Sequence, residues 1–590
     1  MGSDNSTLGT VWQQVLSQLN QLHGERSSKS GEGEERLEDL RAALRESPRD
    51  PDRCLALVQC CKDMDRHDEA LEVLRNAVRL SPRQVSLHHA YITILRQTGR
   101  TAELLESLDA AVKALPWDLS LRLRSALMLP IVYESDEEIG WFRARYEERL
   151  SDCIRQIPLD TRDAARRAVM ATGSHTPFYL PYQGLDVVGP QRQYGELMCR
   201  IMAAYYPQWS VPLPMPPVEN GRLRIGFASA CFHSHSITKT HGGWMKCLAE
   251  SSDVYGYYVG TKTDSTTDEI RGYCRQFRHF PYNFEEACQA ILADRLHALV
   301  IPEIGLNAWT TQLAALRLAP IQCTSWGQPV TSGLPTVDYY LSSALMEPAN
   351  GQEHYSETLV PLAGTGIYYE DPNVPFESLV KTRQDFGLRQ DAVIFLWCQS
   401  LYKYLPRYDR VLVELARRVP NSQFVMVSPN YVPAGKYTAR LERAFAAGGV
   451  DSAGRYVMLP QLDTISFWNL YRVSDIFLDS FSWSGCNTAL EAIACGLPIV
   501  TCPGEFMRGR HSYAILTQMG VTETIAANEE QYIEIAVRLA CDGEWRRQVA
   551  ARTFENRHRL YRDRACIGDL QKFFRQVVQP RVTTSGAWSR

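Results

Sequence analysis

Apolar positions along the 590-residue chain change their period twice. Up to about residue 175 they recur at helical spacing, and similar helix ends read AALRESP, NAVRLSP and AAVKALP. Pro48, Pro82 and Pro116 stand 34 residues apart, with Ala43, Ala77 and Ala111 five residues before each. A small residue lets two helices pack closely, and proline stops the second helix before the next begins. Gly99 falls at the turn between two helices, and Asp65 takes that place one period earlier. A non-repeating helical bundle is the alternative for this region. SSKSGEGEE, residues 27–35, reads as a flexible stretch that separates an N-terminal helix from the array.

The 34-residue period with its small residue and closing proline resembles tetratricopeptide repeats. VPLPMPPVENG, residues 211–221, follows as a boundary, because its prolines remove backbone donors. After it, short continuous apolar runs alternate with helical segments. The runs are LRIGFASACF, VYGYYVG, HALVIP and IQCTSWG. Near Asp391 the alternation restarts with AVIFLWCQ, SQFVMVSP, YVMLP, DIFLDS and LPIVT. Continuous apolar strands between helices predict parallel sheets covered on both faces. The α/β part should therefore be two Rossmann-like domains facing across a cleft, with ligands at the carboxyl ends of the strands.

Composition narrows the class. With 45% hydrophobic and 22% charged residues the chain is globular, and a net charge of −4 offers no footprint for nucleic acid or anionic membrane. No apolar run approaches the roughly 18 to 20 residues that cross a bilayer. The first residues lack the basic and apolar regions of a secretory signal, although Gly2 and Ser6 fit a loose myristoylation pattern. The 16 cysteines are scattered without a C-x-x-C pair and often within apolar runs. They read as buried thiols in a reducing, cytoplasmic compartment.

The most informative segment is DIFLDSFSWSGCNTALEAIACGLPIVT. A strand ends near Ser480, the chain turns at Gly485, and a helix starts near Cys486 or Asn487. That helix N-terminus suits a diphosphate, with Asn487 and Thr488 as further donors and Glu491 one turn on to accept ribose hydroxyls. The same pattern fits a helix merely capped by Ser484 or Asn487. HSHSITKTH places His233, His235 and His241 together, but no cysteine or carboxylate completes a zinc set, so no metal is assigned.

At this point the sequence resembles a family. WSGCNTALEAIACGLPIVTCPGEFMRGRHSYAI is similar to the nucleotide-binding segment of protein O-linked N-acetylglucosamine transferases and SPINDLY-like proteins, glycosyltransferase family 41. LAPIQCTSWGQPVTSGLPTVDYYLS, EHYSETLVPL and QSLYKYLPRYDRVLVELARRVPNSQFVMV match further motifs in order, so the resemblance covers residues 221 to about 575. It implies an inverting, metal-free glycosyltransferase of GT-B fold, preceded by a tetratricopeptide-like array. Lys403 of LYK matches the lysine that holds the donor diphosphate, and Gln399 joins the nucleotide-sugar site. Phe467 matches a position that stacks on the base, and Cys486 replaces a histidine in the diphosphate loop. His235 matches a histidine lining the sugar and acceptor site. The HSI-T-TH pattern also resembles bacterial asparagine-directed glucosyltransferases, in which the counterpart of His241 lies at the active site. Either histidine could act as base. Asp294 matches another acid proposed for that role, and Val330 departs from the family's G-P-G loop.

The resulting expectation assigns residues 1–175 to the helical array, 176–220 to a linker region and 221–385 to an acceptor-side Rossmann-like domain. Residues 386–575 form the nucleotide-sugar-binding domain and 576–590 a tail. Its function is transfer of a sugar, foremost N-acetylglucosamine from UDP, to Ser or Thr of proteins without a cofactor. Alternatives are an asparagine-directed glucosyltransferase, a GDP-fucose-dependent transferase and an inactive repeat scaffold. Protein acceptors, bound by the array, are the expected partners, and a homo-oligomer is left open.

Overall fold

The computed structural model describes residues 30–173, 175–428 and 433–579. The myristoylation pattern and the N-terminal helix expected before residue 27 lie outside these residues. One compact unit holds the described residues to Leu121 with Tyr282–Phe284, and a second holds Arg122–Pro281 and the described residues from Glu285 onward. No helix among the described residues is long and apolar enough to cross a membrane.

In the first unit, helix pairs Pro51–Asp63 with His67–Leu80 and Val85–Gln97 with Thr101–Ala114 repeat at the proline period. Their starts at 51 and 85, and at 67 and 101, are each 34 residues apart. Asp65 and Gly99 make the inter-helix turns in the same left-handed conformation, φ 59° and 71°. Ala77 and Ala111 are buried where the helices meet. Residues 30–35, expected to be flexible, instead open the helix Ser30–Glu46, where Glu34 pairs with Arg66.

The second unit carries two parallel sheets. The first contains β1 (Arg224–Ser229), β2 (Asp253–Tyr258), β3 (Gln276–His279), β4 (Ala298–Ile301), β5 (Ile321–Ser325), β6 (Tyr339–Ser343) and β7 (Thr358–Leu362), in the order β3-β2-β1-β4-β5-β6-β7. The second contains β8 (Val393–Leu396), β9 (Ser422–Val427), β10 (Tyr456–Leu459), β11 (Ile476–Leu478) and β12 (Ile499–Val500), in the order β10-β9-β8-β11-β12. Every residue of β1 and β9 is buried, the result of helices on both faces. Each sheet reverses its winding once, between β1 and β4 and between β8 and β11. Ligands of open α/β sheets bind outside the carboxyl ends of strands at such switch points.

Two expected boundaries move. Residues 176–220 are not an open linker, because Val188–Tyr205 is a helix with Tyr194, Leu197, Met198, Ile201 and Met202 buried. It lies against the loop 331–333: a Cβ at Gly195 would come 2.1 Å from the Gly333 carbonyl oxygen. Only glycine at both places permits that approach. Residues 565–578, assigned to the second domain and the tail, form the helix Ala565–Val578. Its Cys566, Ile567, Leu570, Phe573 and Phe574 are buried in the core of the first sheet, with Ile225, Phe227, Val300 and Leu341.

Candidate active site

A buried polar cluster lies at the switch point of the second sheet. β11 ends at Leu478 and delivers Asp479, which is buried. Asp479 Oδ1 accepts from the Gly485 N–H at 2.6 Å, and Oδ2 accepts from Ser484 Oγ at 2.6 Å and Thr501 Oγ1 at 2.8 Å. Burial pushes its carboxyl above the usual aspartate range, while the hydrogen bonds pull back toward the ionised form. The loop held in this way bends at Gly485, where a Cβ would come 2.8 Å from Thr488 Oγ1.

Helix Asn487–Ala494 follows, with Cys486 at its N-cap and no side-chain cap hydrogen bond. Neither capping alternative is therefore realised: Ser484 Oγ is engaged by Asp479, and Asn487 is already in the helix. The first-turn N–H groups stay open to another acceptor, and the helix end favours an anion. Lys403 closes the short turn Leu401–Lys403 after β8 and donates from Nζ to the Ser484 carbonyl at 3.3 Å. The Trp483 ring centre lies 5.8 Å from the same nitrogen. Removal from water lowers the Lys403 pKa to about 8, opposed by the Asp479 carboxylate. Gln399 is buried and donates from Nε2 to the Leu478 carbonyl at 3.1 Å, so that nitrogen braces β11. Phe467 sits half-buried on the helix Thr464–Val473, its ring 5.1 Å from Tyr471.

The first sheet contributes the loop after β1. His235 is the N-cap of the helix Ser236–Leu248 and accepts from the Ile237 N–H through Nδ1 at 3.2 Å. Burial, then the neighbouring His233 and Lys262, lower its pKa to about 4. With Nδ1 accepting, the neutral ring carries its proton on Nε2, so His235 offers a donor where a base was expected. His241 is also displaced from that role. It is buried, with Nδ1 2.8 Å from Thr240 Oγ1 and Nε2 3.1 Å from Ser325 Oγ. Its ring is edge-on to Trp244 and Trp326, and burial lowers its pKa to about 4. Asp294 is a structural anchor, accepting from Tyr257 Oη at 2.6 Å and pairing with Arg278 at 2.9 Å. Among the described residues no group of three or more His, Cys, Asp or Glu is placed to hold a metal ion.

Contacts between the lobes involve two of the sequence candidates. Asn487 Oδ1 accepts from Tyr369 Oη at 3.0 Å, and its Nδ2 donates to the Ser236 carbonyl at 3.5 Å. Glu491 pairs with Lys239 Nζ at 2.7 Å. Both residues therefore tie the helix Asn487–Ala494 to the helix that His235 caps.

The model of glycosyl transferase family 41 matches residues 198–371 and 370–565. The chain belongs to glycosyl transferase family 41. Two of its curated relatives are named as probable UDP-N-acetylglucosamine–peptide N-acetylglucosaminyltransferases. The barley (Hordeum vulgare) protein SPINDLY is 26% identical over 405 residues, covering 66% of this chain and 40% of the relative. The Arabidopsis thaliana protein SEC is 27% identical over 368 residues, 58% of this chain and 36% of the relative. The matched region thus spans about two fifths of these relatives or less. Among solved structures, a mutant of the Thermobaculum terrenum O-GlcNAc transferase shares the fold. Its TM-score is 0.65 at 20% identity, covering 97% of this chain and 98% of that one.

Two family 41 motifs prove to be one device. Glu357 of YSE is buried and accepts from Thr331 Oγ1 at 2.6 Å and the Ser332 N–H at 2.7 Å, which pins the TSG loop. Sequence reasoning missed Asp479 and His511. An acid at the end of the DIFLD strand, just before a glycine turn, was the available signal for Asp479. His511 is buried, with Nδ1 3.4 Å from the Ser484 carbonyl and its ring 5.6 Å from Trp326. Burial and the Lys403 charge take its pKa to about 3.

Proposed function

We propose that this family 41 chain is a cytoplasmic, metal-independent, inverting protein glycosyltransferase that moves N-acetylglucosamine from UDP to Ser or Thr. The observation that carries the reading is the uncapped helix Asn487–Ala494 beside the Lys403 ammonium, both fixed through Ser484 at a switch point. There the acceptor hydroxyl attacks the anomeric carbon while the bond to the diphosphate breaks. Lys403 and the helix N–H groups meet the charge that grows on the leaving diphosphate, the role a metal ion fills elsewhere. His235 donates from Nε2 to an oxygen of the donor. The hydroxyl proton goes to a phosphate oxygen, because the acceptor nitrogen of His235 already takes the Ile237 N–H and both ring nitrogens of His241 are held by Thr240 and Ser325. The repeating helices up to Leu121 act as a tetratricopeptide-like surface for the protein acceptor.

The test is transfer from UDP-N-acetylglucosamine to protein in excess EDTA, followed by alkaline β-elimination of the product. Release of the sugar supports a Ser/Thr linkage. Sugar that survives alkali and maps to Asn by mass spectrometry would overturn the O-linked reading. Activity lost on chelation and restored by manganese would overturn the metal-free one.

The pH profile should show the Lys403 ammonium. Its pKa of about 8 in the donor-free protein means that the cation is present below pH 8 and lost above it. We expect kcat/KM for the nucleotide sugar to be level from pH 6 to 7.5 and then to fall about tenfold per pH unit. Lys403→Arg should move that fall beyond pH 10, since guanidinium does not titrate there. A profile that rises through pH 8 would be incompatible with the assignment.

A further inference from the structure

The chain ahead of the first sheet packs onto the Lys403 turn. Its short helical turn Leu180–Gln183 is buried throughout. Gly184 follows at φ 71°, and a Cβ there would come 2.9 Å from both Leu405 Cδ1 and Ser482 Oγ. Glycine thus lets this segment lie against the loop after β8 and the loop after β11 at once. The Tyr182 ring stacks on Trp483, with centres 3.8 Å apart and planes 19° from parallel. The same ring meets Tyr402 edge-on at 4.5 Å. Tyr179 and Phe178 add edge contacts to Tyr402 at 5.7 and 6.1 Å.

These contacts flank one hydrogen bond. Tyr402 precedes Lys403 in the chain, and Trp483 precedes Ser484, whose carbonyl accepts from Lys403 Nζ at 3.3 Å. Nζ also lies 5.8 Å from the Trp483 ring centre. One side chain from outside both sheets therefore touches the neighbour of the donor and the neighbour of the acceptor. A lysine stem is flexible, and a single carbonyl does little to fix it. A buried aromatic ring has few torsions to lose, and its area keeps water away. Loss of water is also what lowers the Lys403 pKa to about 8.

We propose that Tyr182 is a positioning residue: its ring braces Tyr402 and Trp483, which holds the Lys403 ammonium beside the helix Asn487–Ala494 and keeps water from it. The inference rests on the reading of Lys403 as the cation that meets the leaving diphosphate. The segment ahead of the first sheet, expected as a linker, is then a wall of the donor site.

The test uses the full chain, UDP-N-acetylglucosamine and a protein acceptor. Tyr182→Ala removes the ring, Tyr182→Leu keeps apolar bulk should the alanine variant fold poorly, and Tyr182→Phe keeps the ring. At pH 7 the ammonium is charged in all three, so a change there reports its placement. Tyr182→Ala and Tyr182→Leu should lose about tenfold in kcat, with a smaller change in KM for the donor. Water admitted to Lys403 should also move the alkaline fall of kcat/KM up by about one pH unit, toward the ordinary lysine range. Tyr182→Phe should restore both. An unchanged kcat and pH profile in Tyr182→Leu overturns the proposal. So does a loss of kcat with the alkaline fall unmoved, which is what general damage would give, or a phenylalanine variant as impaired as the leucine one. If the wild type transfers no sugar, the functional reading fails, and the brace is read from Lys403 itself. Its acetylation by acetic anhydride is followed against pH by mass spectrometry. A half-reaction pH raised by about one unit in Tyr182→Leu but not in Tyr182→Phe supports the brace, and equal values in wild type and both variants overturn it.

Discussion

Lys403→Ala is expected to lower kcat by about 10² to 10³-fold, the usual effect of removing one transition-state charge partner. Among the described residues the ammonium donates to one acceptor, the Ser484 carbonyl at 3.3 Å, so little of the fold depends on it. On the proposed mechanism its value lies instead in the leaving diphosphate, whose charge would grow as the glycosidic bond breaks. Ground-state binding of the nucleotide sugar should change less than turnover, because the helix Asn487–Ala494 still presents its N–H groups. Nucleotide release measured at saturating donor reports kcat, and the melting temperature should stay unchanged. Near-normal turnover would remove Lys403 from the mechanism.

Asp479→Ala is expected to act by another route. The substitution leaves the Gly485 N–H, Ser484 Oγ and Thr501 Oγ1 without their shared acceptor in a buried place. Stranding polar groups around a removed buried charge costs about 3 to 5 kcal/mol. The loop that sets Gly485 and the helix start should lose its fixed geometry. The expected outcome is a lower denaturant midpoint together with more than about tenfold weaker UDP binding by calorimetry, by analogy with losing an outer-shell partner of a bound ligand. Weaker binding without destabilisation would mean that Asp479 meets the donor itself. An unchanged midpoint and affinity would sink the bracing role.

What the chain discloses without a structure depends on how local the signal is. Helix ends carry theirs in the sequence, and the prolines at 48, 82 and 116 each follow a helix end by two residues. The core strands are continuous apolar runs, because both of their faces are covered. β3, β6 and β7 escaped notice. β3 and β7 are edges of the first sheet: QFRH is mostly polar and half-exposed, and TLVPL carries Pro361, tolerable where one side lacks a partner. The interior β6 reads YYLSS and ends in two buried serines. The loop between β11 and the helix Asn487–Ala494 was legible because strand, glycine and helix are consecutive. What was hidden is contact between distant segments. Nothing local says that Asn487 and Glu491 bond to Ser236 and Lys239, some 250 positions away. Nor does the HSHSITKTH motif reveal that one of its histidines faces Ser325 in the core.

The helix Ala565–Val578 bears on how the protein is made. The last strand of the first sheet, β7, leaves the ribosome about 200 residues before this helix does. Until then, the apolar surface that Ile567, Leu570, Phe573 and Phe574 will cover stays open to solvent. The first lobe therefore cannot finish folding during its own synthesis and must wait for the whole second lobe. A ribosome stalled near residue 560 would hold a chain whose second sheet is complete and whose first sheet is still sticky, and this is where a chaperone would be needed.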